Sequence, residues 1–273
     1  MVFAVLNTVA HRRYLSWFLL PDRLPLLKVH ASNLGVAYAF TCGIINLDLD
    51  LNGKVLIMEP QFWHERWQKN EIGFHKAMPH LLLSQYWHCL GTEGQFVFVP
   101  LCGKSLDLLF LKEKGFKVVG CELSTIAVTH FFKEHGLSAN TIDKEHYRLW
   151  QAEDLCILEG DFFGLVKGDL PPLQSVYDRA ALVAFPEPMR ATYAKKLLEL
   201  AAPAPILLIT FEHEGPKTFG PPFAVFQEEI KDLFGRSYEV TVLDEREAIA
   251  EMPHLPPKGI HSIREKAYYL ESK

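Results

Sequence analysis

The chain has 273 residues, 49% of them hydrophobic and 22% charged, enough for one sizeable core with an appendage. Its formal net charge is −5 at pH 7 with Lys and Arg scattered, which excludes the electrostatic footprint of a nucleic-acid binder and leaves no patch for an anionic membrane surface. No run reaches the ~18 apolar residues of a membrane span, and the five cysteines (Cys42, Cys89, Cys102, Cys121, Cys156) are odd in number, far apart and free of any C-x-x-C pair, so reduced thiols in a cytoplasmic protein are expected rather than disulfides or a zinc site.

Residues 1–57 stand apart. His11-Arg12-Arg13 ahead of Tyr14 to Leu20 mimics an export signal, but Pro21-Asp22-Arg23 interrupts the apolar run and no small-residue cleavage site follows. Helix or strand periodicity is absent over any useful length; only NLDLDLN, Asn46 to Asn52, alternates like a short strand. At Met58 the character changes to aromatics at helical spacing. Met58 therefore reads as a natural start, and residues 1–57 as an N-terminal extension, non-catalytic or poorly ordered. A targeting or docking arm is the rival reading. Residues 58–273 read as one domain.

Within that domain the pattern predicts a helix over Pro60 to Lys69, with Pro near its first turn, and a second over Pro79 to Leu90. A buried strand follows at Phe96 to Val99. A helix over Lys104 to Lys114 is closed by Gly115, and a strand follows over Lys117 to Cys121. Ser124 caps a helix that runs to about His135, before Gly136. Residues 137–153 read as a polar insertion holding one extra strand at Tyr147 to Gln151. Strands are expected at Leu155 to Leu158, Ser175 to Asp178 and Pro205 to Phe211, with a long helix over Glu187 to Ala201. A helix over Phe223 to Phe234, opened by Pro221-Pro222, precedes an antiparallel strand pair at Tyr238 to Asp244 and Lys266 to Glu271. Strands alternating with helices predict a mostly parallel sheet covered on both faces.

In such sheets ligands bind beyond the carboxyl ends of the strands. The first turn there, Pro100-Leu101-Cys102-Gly103-Lys104, has one glycine where a dinucleotide loop has three, which argues against a pyrophosphate. Glu122 ends the next strand, about 20 residues on, where a carboxylate accepts from two ribose hydroxyls. A ribose without a pyrophosphate suggests S-adenosylmethionine, its methionine end over Leu101 to Lys104 and its adenosine towards Glu122. In LEGDFFGL, Asp161 can face the polar edge of an adenine, and Phe162 can either cover its face or pack in the core.

FWHERWQKNEIGFH, FVPLCGKSLDL, VVGCELS, GDFF and VYDRAALVAFP, in this order and spacing, resemble the thiopurine S-methyltransferase family, its bacterial branch in particular. The resemblance covers 58–273. It implies a Rossmann-like class I S-adenosylmethionine-dependent methyltransferase, with a mostly parallel central sheet, helices on both faces and an antiparallel C-terminal strand. It implies methyl transfer to the sulfur of an aromatic or heterocyclic small-molecule thiol, by a monomer. Trp67, Leu101, Glu122 and Arg179 match the cofactor-contacting set, Asp161 and Phe162 the adenine end, and Phe74 a position beside the acceptor. One departure is EMPHLPPKGIHS, which offers His254 and Lys258 where some members carry a second arginine, so the role of a second cation is open.

Methyl transfer from a sulfonium is an in-line displacement that mainly needs proximity and alignment. A soft thiol is already substantially anionic near neutral pH, so a strong general base is unnecessary. Arg179 can favour or orient that anion as the catalytic cation, or pair with Asp178 as a structural link. Trp63 and Trp67, spaced i, i+4, share a helix face that can be core or a lid turning at Gly73. Phe74 and Phe185 suit a flat apolar acceptor pocket. His75, His80 and His88 fit no metal spacing and read as surface or cap residues, so no metal is expected. Cys102 reads as a small residue in a tight turn rather than a nucleophile. Rivals are the same fold acting on selenium or tellurium species, a nicotinamide-dependent oxidoreductase disfavoured by the missing glycines, and a non-catalytic S-adenosylmethionine-binding module.

Overall fold

The computed structural model describes residues 58–217, 219–253 and 255–273 and, of the first 57 residues, the backbone of three strands. The chain divides into two compact units, Met1–Leu56 and Ile57–Lys273. In the first, β1 (Phe3–Val9), β2 (Arg12–Phe18) and β3 (Val29–His30) form an antiparallel sheet in that order. None of the three was legible as a strand from periodicity. Val, Thr, Tyr, Trp and Phe suit strands without the strict alternation of a half-buried sheet. The strand expected at Asn46 to Asn52 lies outside the described residues.

The second unit is built on a nine-stranded sheet. Its strands are β4 (Phe96–Val99), β5 (Lys117–Glu122), β6 (Asn140–Asp143), β7 (Tyr147–Ala152), β8 (Leu155–Gly160), β9 (Ser175–Arg179), β10 (Ile206–Glu212), β11 (Tyr238–Glu247) and β12 (Arg264–Ser272). Their order is β11-β12-β10-β9-β4-β5-β8-β7-β6. The five central strands, β10 to β8 in that order, are parallel, and each edge ends in antiparallel strands. The apolar runs FVFV and ILLITFE fit the centre, where both faces are covered. The insertion after Gly136 holds a hairpin, β6 with β7, rather than one strand. β6 is exposed along its length and reads as polar loop in sequence.

Among the described residues six α-helices accompany the sheet: α1 (Pro60–Gln68), α2 (Leu81–Tyr86), α3 (Asp107–Glu113), α4 (Thr125–Glu134), α5 (Glu187–Ala201) and α6 (Gln227–Phe234). One apolar layer joins Phe98, Val176 and Leu208 to α5 and α6; the other joins Val97, Tyr177 and Leu207 to α2, α3 and α4. The caps are local. Ser124 Oγ accepts from the Ala127 N–H at 3.3 Å, and Asp161 accepts from the Phe163 N–H at 3.0 Å. After α3, Gly115 takes φ +85°, its N–H donates to Lys112 O and the Phe116 N–H to Leu111 O, a Schellman closure that favours Gly. α4 closes the same way through Gly136 and Leu137.

Three helix boundaries differ from expectation. The helix expected over Pro79 to Leu90 is α2 followed by a 3₁₀ turn at Trp87–Leu90. α3 starts at Asp107 because the chain from Pro100 to Leu106 is used in the turn above β4. α6 starts at Gln227, since the Phe223 N–H donates to Val183 O and the Val225 N–H to Phe211 O, which draws that stretch alongside β10.

Candidate active site

From β4 the chain moves outward to β5 and β8, then returns to the other side of β4 as β9. That reversal is the switch point at which open α/β sheets bind ligands. A cavity of about 640 Å³ lies there, bordered by Leu101, Glu122, Asp161 and Arg179 from the turns after β4, β5, β8 and β9. The volume suits a cofactor-sized ligand. Trp67, Phe74 and Phe162 border the same cavity, so all seven sequence-derived site residues converge on it.

The turn after β4 is held under the tip of β5. The Cys102 N–H donates to Cys121 O at 2.9 Å, and the Gly103 N–H to Glu122 Oε2 at 2.8 Å. Leu101 (φ +48°) and Gly103 (φ +56°) are left-handed, and so is Ala180 (φ +65°) beside Arg179. For Leu101 and Ala180 such backbone costs about 1–3 kcal/mol each, strain that proteins concentrate at functional sites. A Cβ on Gly103 would sit 3.3 Å from the Trp67 ring, so the turn passes directly beneath α1.

Glu122 is buried. Its Oε1 accepts from the Ser124 N–H at 2.8 Å and its Oε2 from the Gly103 N–H, with the Leu123 amide also directed at the carboxylate. Burial raises its pKa from 4.5 to about 7, against the opposing pull of the Ser124, Gly103 and Leu123 amides. A buried carboxylate on the cavity wall can accept further hydrogen bonds, as the two adjacent hydroxyls of a ribose would supply.

Arg179 and Asp178 point to opposite faces of β9, as successive strand residues must. The alternative Arg179–Asp178 link is therefore excluded. Asp178 instead accepts from Tyr193 Oη at 2.7 Å, and burial raises its pKa to about 6. The Arg179 guanidinium is only 10% exposed, yet its nearest partners are Phe74 O at 3.4 Å and Asp107 Oδ2 at 3.9 Å. Its Nε has no hydrogen-bond partner among the described residues. A guanidinium this buried and this lightly satisfied is set to receive an acceptor or an anion.

Phe74 packs edge-on against Trp67 and Trp63, with ring centroids 5.6 and 5.9 Å away. The pair of tryptophans thus forms a wall over the turn rather than core alone. Gly73 is not a position that requires glycine: an added Cβ would meet nothing within 4 Å and φ is not left-handed. Phe162 is buried, stacked on Phe98 at 6.5 Å and tilted against Tyr193 at 5.1 Å, so its ring serves the core while bordering the cavity. Asp161, by contrast, is exposed beside it. Phe185 borders the apolar end along with Phe219, Met252 and Leu255. Lys258 reaches that end too, its ammonium 6.0 Å from the Phe219 centroid. His254 lies outside the described residues.

Cys102 is buried, and desolvation pushes its thiol pKa well above the ordinary range, with Glu122 adding to the rise. It is an inert small residue against Gly120, where an added Cβ would lie 2.8 Å from its Sγ. Gly120→Ala is expected to destabilise the fold by about 1–3 kcal/mol. Urea unfolding of Gly120→Ala and of Gly120→Ala/Cys102→Ala checks this, the second variant recovering most of the loss.

Sequence reasoning missed two groups. Asp107 and Tyr177 border the cavity and bond each other, Tyr177 Oη donating to Asp107 Oδ2 at 3.0 Å. The available signal was Tyr177's position two residues before Arg179, on the same strand face. The histidines also differ from expectation. His80 is buried, with Nε2 2.8 Å from Glu265 Oε1. His75 is half-buried at the cavity, its pKa lowered by burial and then by Lys104, and its Nδ1 is unpartnered among the described residues. Among the described residues no group of His, Cys, Asp and Glu could hold a metal ion, and no helix is long and apolar enough to cross a membrane.

Comparison with known proteins gives the family. The family profile described as Thiopurine S-methyltransferase (TPMT) matches residues 58–273. The chain is 42% identical over 219 residues to the thiopurine S-methyltransferase of Methylococcus capsulatus, covering 79% of this chain and 99% of that protein. It is 46% identical over 193 residues to that of Teredinibacter turnerae, covering 71% and 90%. A solved S-adenosylmethionine-dependent methyltransferase from Anabaena variabilis shares the fold, with TM-score 0.53 at 14% identity over 78% of this chain and 95% of that one.

Proposed function

Since the chain belongs to the thiopurine S-methyltransferase family, and so is an S-adenosyl-L-methionine-dependent S-methyltransferase, we propose that the cavity above β4, β5, β8 and β9 joins that donor to a small aromatic or heterocyclic thiol. The observation that carries the assignment of the site is Glu122, a buried carboxylate held by the amides of the turn after β4 and of Ser124 on the cavity wall.

S-adenosylmethionine supplies an electrophilic methyl group on a sulfonium sulfur. Glu122 accepts from the two ribose hydroxyls. Trp67 and Leu101 wall the methionine end and keep water from it. Asp161 turns its carboxylate to the polar edge of the adenine, and Phe162 supports that end from the core. Phe74 lies against the acceptor ring. Arg179 holds fixed positive charge where the acceptor sulfur is anionic, so the thiolate is favoured over the thiol and no separate base is required. The buried Cys102 thiol takes no part.

The enzyme is taken as a cytoplasmic monomer, in keeping with five cysteines far apart in sequence and without a C-x-x-C pair. Residues 1–57 are taken as dispensable for the chemistry.

The test is an acceptor series at one S-adenosylmethionine concentration: an aromatic thiol, its selenol and its phenol. The thiol is expected to yield the methyl thioether and one equivalent of S-adenosylhomocysteine, the phenol none. Turnover of the selenol alone would move the enzyme to selenium chemistry. The same assay on residues 58–273 is expected to match the full chain; loss of turnover by that folded fragment would give the extension a part in the site.

A further inference from the structure

Between α1 and α2 runs the segment Lys69 to His80, which carries Phe74 into the cavity wall. Two of its backbone groups are tied down inside the protein. In its middle, Phe74 O accepts from Arg179 Nη2 at 3.4 Å. At its end, the His80 N–H donates to Asp107 Oδ1 at 2.7 Å. Asp107 and Arg179 are themselves neighbours, Oδ2 to Nη1 at 3.9 Å.

Asp107 is 2% exposed and sits at the start of α3, directly after the turn that passes beneath Trp67. Tyr177 Oη donates to its Oδ2 at 3.0 Å. Both carboxylate oxygens are thus fixed by donors from elsewhere in the fold, His80 and Tyr177. The groups that fix them are fixed in turn: the His80 ring is bonded to Glu265, whose other oxygen takes Arg246 Nε at 2.7 Å. Asp107 is therefore a rigid negative charge, and it is the carboxylate nearest the lightly held Arg179 guanidinium among the described ion pairs.

We propose that Asp107 is a positioning residue for methyl transfer. From one oxygen it fixes the root of the segment that carries Phe74, and with the other it sets the place of the Arg179 guanidinium. The proposal rests on the reading that Arg179 and Phe74 belong to the site. Tyr177 is the second member of this arrangement, since its hydroxyl orients the oxygen that faces Arg179. A charge 3.9 Å away guides a guanidinium without closing a tight pair, which leaves the guanidinium N–H groups free for ligand.

The test is a double-mutant cycle on the full-length enzyme with an aromatic thiol as acceptor. Asp107→Asn keeps the shape and an acceptor for the His80 N–H but removes the charge. It is expected to lower kcat at least tenfold while acceptor KM changes less than threefold. In an Arg179→Gln background the same substitution is expected to cost less than twofold, because its effect runs through Arg179. A tenfold cost that persists in that background would overturn the proposal and make Asp107 a matter of folding alone, as would a KM effect without a kcat effect. If Arg179→Gln by itself keeps full activity, the assignment of Arg179 fails, and the role of Asp107 falls with it. Tyr177→Phe gives the same cycle without touching a charge. It is expected to lower kcat three- to tenfold in the wild-type background and less than twofold beside Arg179→Gln, so the proposal stays testable if Asp107→Asn does not fold.

Discussion

Glu122→Ala is expected to weaken S-adenosylmethionine binding by about a hundredfold or more, since hydrogen bonds to a charged acceptor are worth about 1.5–3 kcal/mol each and two are lost. Removal also strands the Gly103 and Ser124 amides that the carboxylate now accepts from, so the turn after β4 loosens at the same time. Glu122→Gln separates the two effects. It keeps an acceptor for one amide and removes the charge, and is expected to bind with an intermediate affinity. Isothermal titration of the two variants checks the ranking.

The same residue fixes a pH dependence. Its folded pKa of about 7 is above the ordinary 4.5, so the unliganded protein gains protons relative to the unfolded chain between those values. By linkage, the stability contributed by Glu122 is fullest below pH 4.5 and is lost as pH rises through about 7. Cofactor binding runs the other way, because ribose hydroxyls donate to the ionised form. Affinity is expected to rise about tenfold from pH 6 to pH 8 and then level off, with proton release on binding near pH 6. A flat affinity across that range would mean that the carboxylate does not face the ligand.

Arg179→Gln is expected to lower kcat about a hundredfold, the usual cost of removing one preorganised charge from a transition state. It should leave Tm unchanged or slightly higher. A buried guanidinium held by contacts of 3.4 and 3.9 Å, with Nε unpartnered, does not recover its desolvation cost in the free enzyme. Asp107 keeps its His80 and Tyr177 bonds when the arginine is gone. Activity and stability would thus move in opposite directions, as at sites where strain is retained for function. A variant that loses both would make Arg179 a structural cation. Thermal unfolding beside steady-state kinetics distinguishes the two.

What the sequence made legible was local. Ser124, Gly115 and Gly136 mark helix ends through bonds that reach only a few residues, and each marks the end it was expected to mark. Glu122 was legible because the strand–turn–helix–strand unit sets its distance from Gly103. Non-local contacts were not. Tyr177 and Asp107 are 70 residues apart, and His80 and Glu265 are 185 apart. Nothing in a histidine's neighbours along the chain says that a strand from the far end of the domain will bury it. The exposed strand β6 was missed for a related reason, since its pairing with β7 overrides a composition that favours loop. The start of α3 shifted because residues 101–106 are drawn into the turn beneath Trp67, a contact between separate elements.

The deciding measurement is a crystal structure of the full chain with S-adenosylhomocysteine. The ribose hydroxyls are expected within hydrogen-bond distance of both Glu122 oxygens, the amino-acid end beside Leu101 and Trp67, and the thioether sulfur open towards Phe74 and Arg179. A ligand bound away from Glu122, or with its sulfur closed off from Phe74 and Arg179, would contradict the assignment of the site.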